Sequence, residues 1–169
     1  LEVDDQGGVH VIDPASPWPE ARGALDAWLD ERSLHVRAIL LTHHHHDHVA
    51  GAAYLAERTG APVWAHVGTE ERVDVEIART LEDGERVGRL TAVFTPGHAP
   101  GHLAFRDGPS GIVVAGDMVA GFGTIVVAPP DGHMGTYLAS LRRLKREAPT
   151  SMIPAHGPLI EDPQALLDE

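Results

Sequence analysis

The sequence predicts a mixed α/β fold, in which short apolar strands alternate with amphipathic helices. Apolar runs of strand length, such as 36–41 and 90–94, are bounded by Gly, Pro and polar residues, which is the pattern of buried strands. Other segments carry apolar residues at helical spacing, and 135–147 is the clearest of them. Strands that precede, separate and follow helices favour sheets flanked by helices over an all-α or all-β fold.

The elements follow from these periodicities and from turn residues. Residues 1–3 indicate the end of a strand, and Gly7-Gly8 suit a hairpin. The strand at 9–13 ends at Pro14, because Pro cannot continue a β-ladder. Ser16 is expected to cap a helix that runs to about Ser33. The remaining predictions are strands at 36–41, 62–65, 89–95, 102–106, 111–115 and 151–153, and helices at 69–73, 135–147, 163–167 and from 49–56 to an end near Gly60.

A histidine-rich loop, Thr42-His-His-His-His-Asp-His48, lies between a predicted strand and a predicted helix. Neutral imidazole and carboxylate are ligands for Zn²⁺ and other borderline metals. In open α/β sheets, ligands bind outside the carboxyl ends of the strands. The loop therefore indicates a metal site. The alternative is a solvated loop that binds metal only adventitiously.

Three more candidate ligands stand at later strand ends. His98, Asp117 and His156 each follow an apolar run and are flanked by Gly or Pro. The adventitious interpretation of the histidine loop would leave this recurrence as coincidence. The three residues therefore favour one built metal centre.

The motif H-x-H-x-D-H, followed by His, Asp and His at strand ends, resembles the metallo-β-lactamase superfamily of dinuclear metal hydrolases. The resemblance runs from 9–14 to 154–158. It implies an αββα sandwich, with two mixed β-sheets flanked by helices, as a single domain over residues 1–169. Family members usually have more strand at the amino terminus, and some have a helical carboxy-terminal extension. We therefore expect this chain to lack its N-terminal edge and its C-terminal extension.

The same resemblance implies a ligand set. His43, His45 and His98 would bind one metal, Asp47, His48 and His156 the other, and Asp117 would bridge both. Two Zn²⁺ per chain are expected, with Fe or Mn also compatible with nitrogen and oxygen ligands. Asp47 and Asp117 would be the catalytic carboxylates, which ligate and orient a metal-bound hydroxide that acts as the nucleophile.

Several nearby residues have two interpretations. Asp13 is a candidate outer carboxylate that supports the metal loop, or an ordinary strand-end residue. His102 is expected to orient a ligand and His66 to edge the pocket. His44 and His46 alternate with the ligands and should point elsewhere, while His10, His35 and His133 are expected at the surface. A subfamily-like signature either lets substrate approach the backbone or marks an ordinary turn and a packed helix; it comprises Gly121, Gly123, Thr124, Tyr137 and Ser140.

Composition limits the function further. The chain has no Cys, so thiolate ligands and disulfides are excluded. Its 13 basic and 25 acidic residues give a formal charge of −12, which disfavours a nucleic-acid partner. No apolar run approaches the ~20 residues that span a bilayer, and no signal peptide is visible. We therefore expect a cytoplasmic protein with no membrane partner, and its oligomeric state is unknown from sequence.

The resemblance is strongest to the branch that contains glyoxalase II, the tRNA 3′-processing ribonuclease and the β-lactamase-like proteins. The first hypothesis is a hydrolase of a small-molecule ester, thioester, lactone or β-lactam-like bond. The alternative is a phosphodiesterase that acts on single-stranded RNA. A third hypothesis is a metal-binding remnant without catalysis.

Overall fold

The structure is a computed structural model that describes residues 8–168. The chain divides into two compact units between Thr80 and Leu81. Each unit contains one β-sheet and its own helices. The strand predicted at 1–3 and Gly7 of the predicted hairpin lie outside the described residues.

The first unit is built on a sheet with strand order β1-β2-β3-β4. Its described strand pairs are all parallel, whereas the sequence led us to expect a mixed sheet. The difference arises because helical connections separate the neighbouring strands, and a crossover returns the next strand in the same direction. The elements are β1 (Gly8–Ile12), α1 (Pro19–Glu31), β2 (His35–Leu40), α2 (His46–Val49), α3 (Ala52–Thr59), β3 (Val63–Ala65), α4 (Val67–Glu70) and β4 (Ile77–Thr80).

The core of this unit forms around β2. Ala38, Ile39 and Leu40 are fully buried, as expected for an inner parallel strand that is covered on both faces. Leu29 of α1 and Leu55 of α3 pack with Ile39 in one hydrophobic cluster. Burial of each leucine contributes about 1.5–3 kcal/mol. This packing makes the end of β2 a rigid support for the histidine loop that follows it.

The second unit contains a mixed sheet with strand order β5-β6-β7-β8-β9. Strands β5 to β8 pair antiparallel, and β9 pairs parallel with β8. The parallel pair results from the α5 crossover between β8 and β9. The elements are β5 (Arg86–Val87), β6 (Leu90–Phe94), β7 (Leu103–Asp107), β8 (Val113–Gly116), α5 (Met134–Arg146), β9 (Met152–Pro154) and α6 (Pro163–Asp168).

Helix α5 packs on the second sheet through one face. Leu144 is fully buried beside Val113 and Met152, and Leu141 and Tyr137 are partly buried against the same cluster. The opposite face carries Arg142 and Arg146, which are exposed. The helical spacing of apolar residues predicted over 135–147 thus marks a packing face that contains Leu141 and Leu144, whereas Leu138 is exposed.

The fold class predicted from sequence, mixed α/β with two sheets and helices, is confirmed. Three local predictions were wrong, and two short strands were missed. Trp18, not Ser16, precedes α1, and Ser16 Oγ instead accepts a hydrogen bond of 3.2 Å from the Trp18 N–H. The helix predicted at 49–56 is two helices that meet at Gly51, the helix predicted at 69–73 is α4, and the short strands β4 and β5 were missed.

Within residues 8–168, no helix is both long and apolar enough to cross a membrane. The longest described helices, α1 and α5, have 13 residues each. The expectation of one domain over residues 1–169 stays a prediction.

Candidate metal centre

In the first unit, the candidate ligands lie on the loop that follows β2 (His43 and His45) and in α2 (Asp47 and His48). His43 and His48 are buried, with their ring centroids 4.0 Å apart. His43 Nε2 lies 3.0 Å from His45 Nδ1. His48 Nε2 lies 3.9 Å from Asp47 Oδ2, and the Asp47 side chain is 61% exposed. The four candidate ligands thus present nitrogen and oxygen atoms in two close pairs.

Asp13, at the end of β1, supports this loop with both carboxylate oxygens. Oδ1 accepts the Thr42 N–H at 2.7 Å, and Oδ2 accepts the Thr42 hydroxyl at 2.6 Å. Oδ2 also accepts the Nδ1–H of His48 at 2.8 Å. A histidine that donates through Nδ1 keeps the Nε2 lone pair for a metal. The outer-carboxylate interpretation of Asp13 therefore has direct geometric support.

Thr42 extends the influence of Asp13 to a second histidine. Its hydroxyl has one proton, which goes to Asp13. The 2.9 Å contact between Thr42 Oγ1 and His43 Nδ1 is therefore a hydrogen bond in which the histidine donates. In His43, as in His48, Nε2 is therefore the nitrogen whose lone pair is available to a metal.

Two unusual backbone positions, at Asp13 and Gly51, bring the Asp13 carboxylate close to the histidine loop. Asp13 has a φ of +45°, which Asp tolerates better than most residues. Gly51, between α2 and α3, lies against the Pro14 carbonyl, and a Cβ there would overlap that oxygen. A glycine is required at this close approach, and it lets the ligand helix lie beside the turn that follows Asp13.

In the second unit, Asp117 lies between two histidines. Its Oδ2 is 3.4 Å from His98 Nε2, and its Oδ1 is 3.5 Å from His156 Nε2. These separations exceed the ~2.7–3.2 Å of an N–H···O hydrogen bond. Two atoms bound to one tetrahedral metal at ~2.0–2.1 Å lie about 3.3 Å apart. The spacing therefore matches a carboxylate that shares one metal with each histidine.

His98 is oriented by a backbone carbonyl. Its Nδ1 lies 2.8 Å from the Val126 oxygen, so the ring donates there and Nε2 faces Asp117. The same loop is fixed at its other end, because the Gly121 N–H donates to the His156 carbonyl at 2.8 Å. Residues 121–126 therefore hold two candidate ligands from one segment.

His102 is fully buried behind Asp117. Its Nε2 accepts the Asp117 N–H at 3.2 Å, which leaves Nδ1 to donate to Thr95 Oγ1 at 2.8 Å. His102 thus contacts the Asp117 backbone, and its ring lies edge-on to that of His98, with the ring centroids 6.3 Å apart. This geometry supports the prediction that it orients a ligand.

Helix α5 anchors the loops that carry His98 and Asp117, two of the three candidate ligands of this unit. The Tyr137 hydroxyl donates to the Met118 carbonyl at 2.8 Å, and Ser140 donates to the Pro96 carbonyl at 2.7 Å. Burial, and secondarily the Asp117 charge, raise the pKa of Tyr137 to about 12, so this donor keeps its proton. Gly97, with φ +129°, has no room for a Cβ against the Tyr137 backbone. For Tyr137 and Ser140, the packed-helix interpretation has this structural support.

The other histidines have separate roles. His66 caps α4 by accepting the Gly68 N–H at 3.0 Å, and its predicted place at a pocket edge stays a prediction. His133 caps α5 in the same way, through a 3.1 Å bond from the Thr136 N–H. His35 and His46 are exposed, while His10 and His44 are half-buried.

Two features of the site were missed from sequence. The Thr42 hydroxyl, which contacts both Asp13 and His43, was not predicted to take part, although a Thr directly before the histidines is visible in the sequence. The Val126 carbonyl has no sequence signal, because every residue has a carbonyl and only the loop path selects this one.

The fold has two sheets, with candidate histidine and carboxylate ligands at or just after the ends of their strands. The profile of the metallo-beta-lactamase superfamily matches residues 2–156. The chain belongs to the metallo-beta-lactamase superfamily.

Relatives of known name are hydrolases. A hydroxyacylglutathione hydrolase of Cereibacter sphaeroides is 39% identical over 154 residues, which cover 87% of this chain and 56% of that protein. An atrochrysone carboxyl ACP thioesterase, AacuM, of Aspergillus aculeatus is 28% identical over 90% of this chain and 48% of that protein. The chain thus spans about half the length of the curated relatives it matches.

Solved structures share the fold. TTHA1623, whose crystal structure is a di-iron-bound form, superposes with a TM-score of 0.78 and 31% sequence identity. The match covers 89% of this chain and 82% of that protein. The mixed α/β fold with two sheets therefore agrees with the family assignment.

Proposed function

We propose that this chain is a metal-dependent hydrolase that cleaves thioesters. Its candidate ligands are His43, His45, Asp47, His48, His98, Asp117 and His156, which would together hold two divalent ions. The observation that carries the proposal is the carboxylate of Asp117. Its two oxygens each lie 3.4–3.5 Å from a different histidine nitrogen, as a bridging ligand requires.

The donor set fits divalent metals of borderline softness. It contains imidazole nitrogens and carboxylate oxygens and no thiolate, because the chain lacks Cys. Such ligands suit Zn²⁺, and they also suit Fe or Mn. Zn²⁺ is our first choice for its preference for histidine, while the di-iron form of TTHA1623 supports iron as the alternative.

The residues of the chain prepare the ligand atoms. Proton donation from Nδ1 to Asp13, Thr42 or Val126 leaves Nε2 of His48, His43 and His98 unprotonated. This fixes the neutral tautomer that binds metal. The exposed Asp47 carboxylate can orient an attacking water and accept its proton.

When bound, two divalent ions would acidify water and polarise the acyl oxygen of the substrate. In the overall reaction, the oxygen of water bonds to the acyl carbon and the carbon–sulfur bond breaks. The sulfur leaves as a thiol that carries a proton from the water. The product is a carboxylic acid. Asp117 and Asp47 are the catalytic carboxylates in this proposal.

The names of the relatives support a thioester as the substrate class. An acylated glutathione and an acyl carrier protein both join an acyl group to a thiol, and these are the substrates that the two relatives are named for. The formal charge of −12 weighs against the single-stranded RNA alternative. Lactone, ester and β-lactam-like bonds remain alternatives for the same acyl chemistry.

The test combines metal content with a substrate panel. Metal content is measured on protein purified without added metal. Hydrolytic activity is then measured on a hydroxyacyl-glutathione, a simple acyl thioester, a lactone, a chromogenic β-lactam, bis(p-nitrophenyl) phosphate and single-stranded RNA. We expect about two ions per chain and chelator-sensitive thioesterase activity. Preferred cleavage of a phosphodiester would replace the thioester proposal with the nuclease alternative.

Variants of adjacent histidines provide a matched control. His45→Ala removes a proposed ligand, so we expect loss of metal and at least a hundredfold loss of kcat/KM. His46→Ala changes an exposed neighbour on the same loop and should leave both values unchanged. Equal effects of the two substitutions, or full activity without metal, would refute the ligand assignment.

A further inference from the structure

The second unit contains a cavity of about 470 Å³ beside the segment that follows Asp117. Met118 and Val119 line one wall, Tyr137, Leu138 and Leu141 of α5 line another, and Leu167 of α6 contributes to a third. The volume falls in the ~300–1,000 Å³ range of small-molecule sites. The cavity is therefore large enough to hold part of a substrate.

The cavity is lined by residues that neighbour the candidate ligands of this unit in the chain or hold them in place. Met118, in its wall, follows Asp117 in the chain, and its carbonyl accepts the Tyr137 hydroxyl. Thr124 and Ile125 also line the cavity, and the next residue supplies the carbonyl that orients His98. One loop therefore forms a cavity wall and positions a ligand.

The chemistry of the lining favours an uncharged alkyl group. Most lining side chains are aliphatic, and the Tyr137 hydroxyl is already bonded to Met118. Arg142 and Asp168 are exposed lining residues of opposite charge, so the lining has no net charge to select an anion or a cation.

We propose that this cavity binds the hydrocarbon part of the acyl group, so that the preferred substrates are thioesters of medium-length straight-chain acids. This inference rests on the proposed thioesterase activity and names its substrate class. Burial of each additional methylene should raise kcat/KM by about two- to fourfold until the cavity is full. If the site recognised only the thioester group, kcat/KM would not depend on the length of the acyl chain.

The kinetic test uses the metal-loaded protein and N-acetylcysteamine thioesters from acetyl to dodecanoyl. Leu138 is 41% exposed at the cavity wall, so its replacement should not disturb the buried core. Leu138→Ala should move the optimum to longer chains, and Leu138→Trp should move it to shorter ones. Ala139→Trp, on an exposed neighbour that is not part of the lining, should leave the profile unchanged.

A second readout does not require turnover. The indole introduced by Leu138→Trp reports on the cavity through its fluorescence, and 1-decanol carries an alkyl chain without a thioester. We expect a saturable blue shift with decanol for Leu138→Trp and none for Ala139→Trp. A shift without thioesterase activity would support the alkyl site and refute the proposed reaction. A flat chain-length profile, a profile altered equally by the control, or no saturable shift would overturn the inference.

Discussion

Replacement of Asp13 by Asn tests whether one carboxylate prepares ligands for both proposed metals. Asn is nearly isosteric with Asp and tolerates the φ of +45° at this position. The substitution therefore changes hydrogen bonding with little change in backbone strain. Its amide oxygen can still accept from the Thr42 N–H, as Asp13 Oδ1 does at 2.7 Å.

The amide nitrogen creates the conflict. It replaces Oδ2, which accepts from the Thr42 hydroxyl at 2.6 Å and from His48 Nδ1 at 2.8 Å. The amide N–H would then face two other donors, the Thr42 hydroxyl and His48 Nδ1–H. The conflict favours the His48 tautomer that is protonated on Nε2, the proposed metal-binding nitrogen. Hydrogen bonds to charged groups contribute about 1.5–3 kcal/mol each. Loss of an outer partner costs about 10- to 100-fold in metal affinity.

The assay is competitive metal titration of both sites, with the melting temperature of the metal-free protein measured in parallel. Asp13→Asn should weaken both bound ions. Thr42→Val, which removes the hydroxyl bonded to His43 Nδ1 at 2.9 Å, should weaken the ion held by His43 more than the other. Asp30→Asn, at an exposed carboxylate that binds Arg58, is the matched control. Unchanged affinity at either site in Asp13→Asn would refute the reasoning.

Three further predictions concern the second unit. Tyr137→Phe leaves the Met118 carbonyl without its donor and should lower the unfolding free energy by about 1–3 kcal/mol in a urea titration; an unchanged midpoint would contradict this. Gly97→Ala places a Cβ against the α5 backbone and should reduce metal affinity and stability together, whereas Gly23→Ala, in open space, should reduce neither. Partial burial raises the pKa of Asp83, but the Arg143 hydrogen bond and a backbone N–H outweigh it and lower the pKa overall. Its stabilisation is therefore present above pH ~4 and lost as the pH falls below that value. Asp83→Asn should cost about 0.5–1 kcal/mol at pH 7 and progressively less at acidic pH, and a constant difference would refute this assignment.

Periodicity predicted the longer elements well because each carries a recognisable apolar pattern over several residues. The 36–41 run became β2, and the Leu138, Leu141 and Leu144 stripe became α5 with a shift of one residue at each end. Prediction failed where local signals were weak. Strand β5 has two residues, and β4 is mostly exposed, so neither carries the alternation of a buried strand. Such strands form because a neighbouring strand supplies their hydrogen-bond partners.

The sequence by itself determined which residue types could serve as ligands and that they stand at strand ends. The histidines and Asp47 could be recognised as candidate metal ligands from residue type and position alone. They follow a strand and precede a helix, and such a segment is rigid. The outer interactions required tertiary structure, since Asp13 is 35 positions from His48, and His98 is 28 positions from Val126. These pairs meet because strand pairing and loop packing bring distant backbone together. The sequence contains the donors and acceptors, but only the folded chain determines which of them form hydrogen bonds with each other.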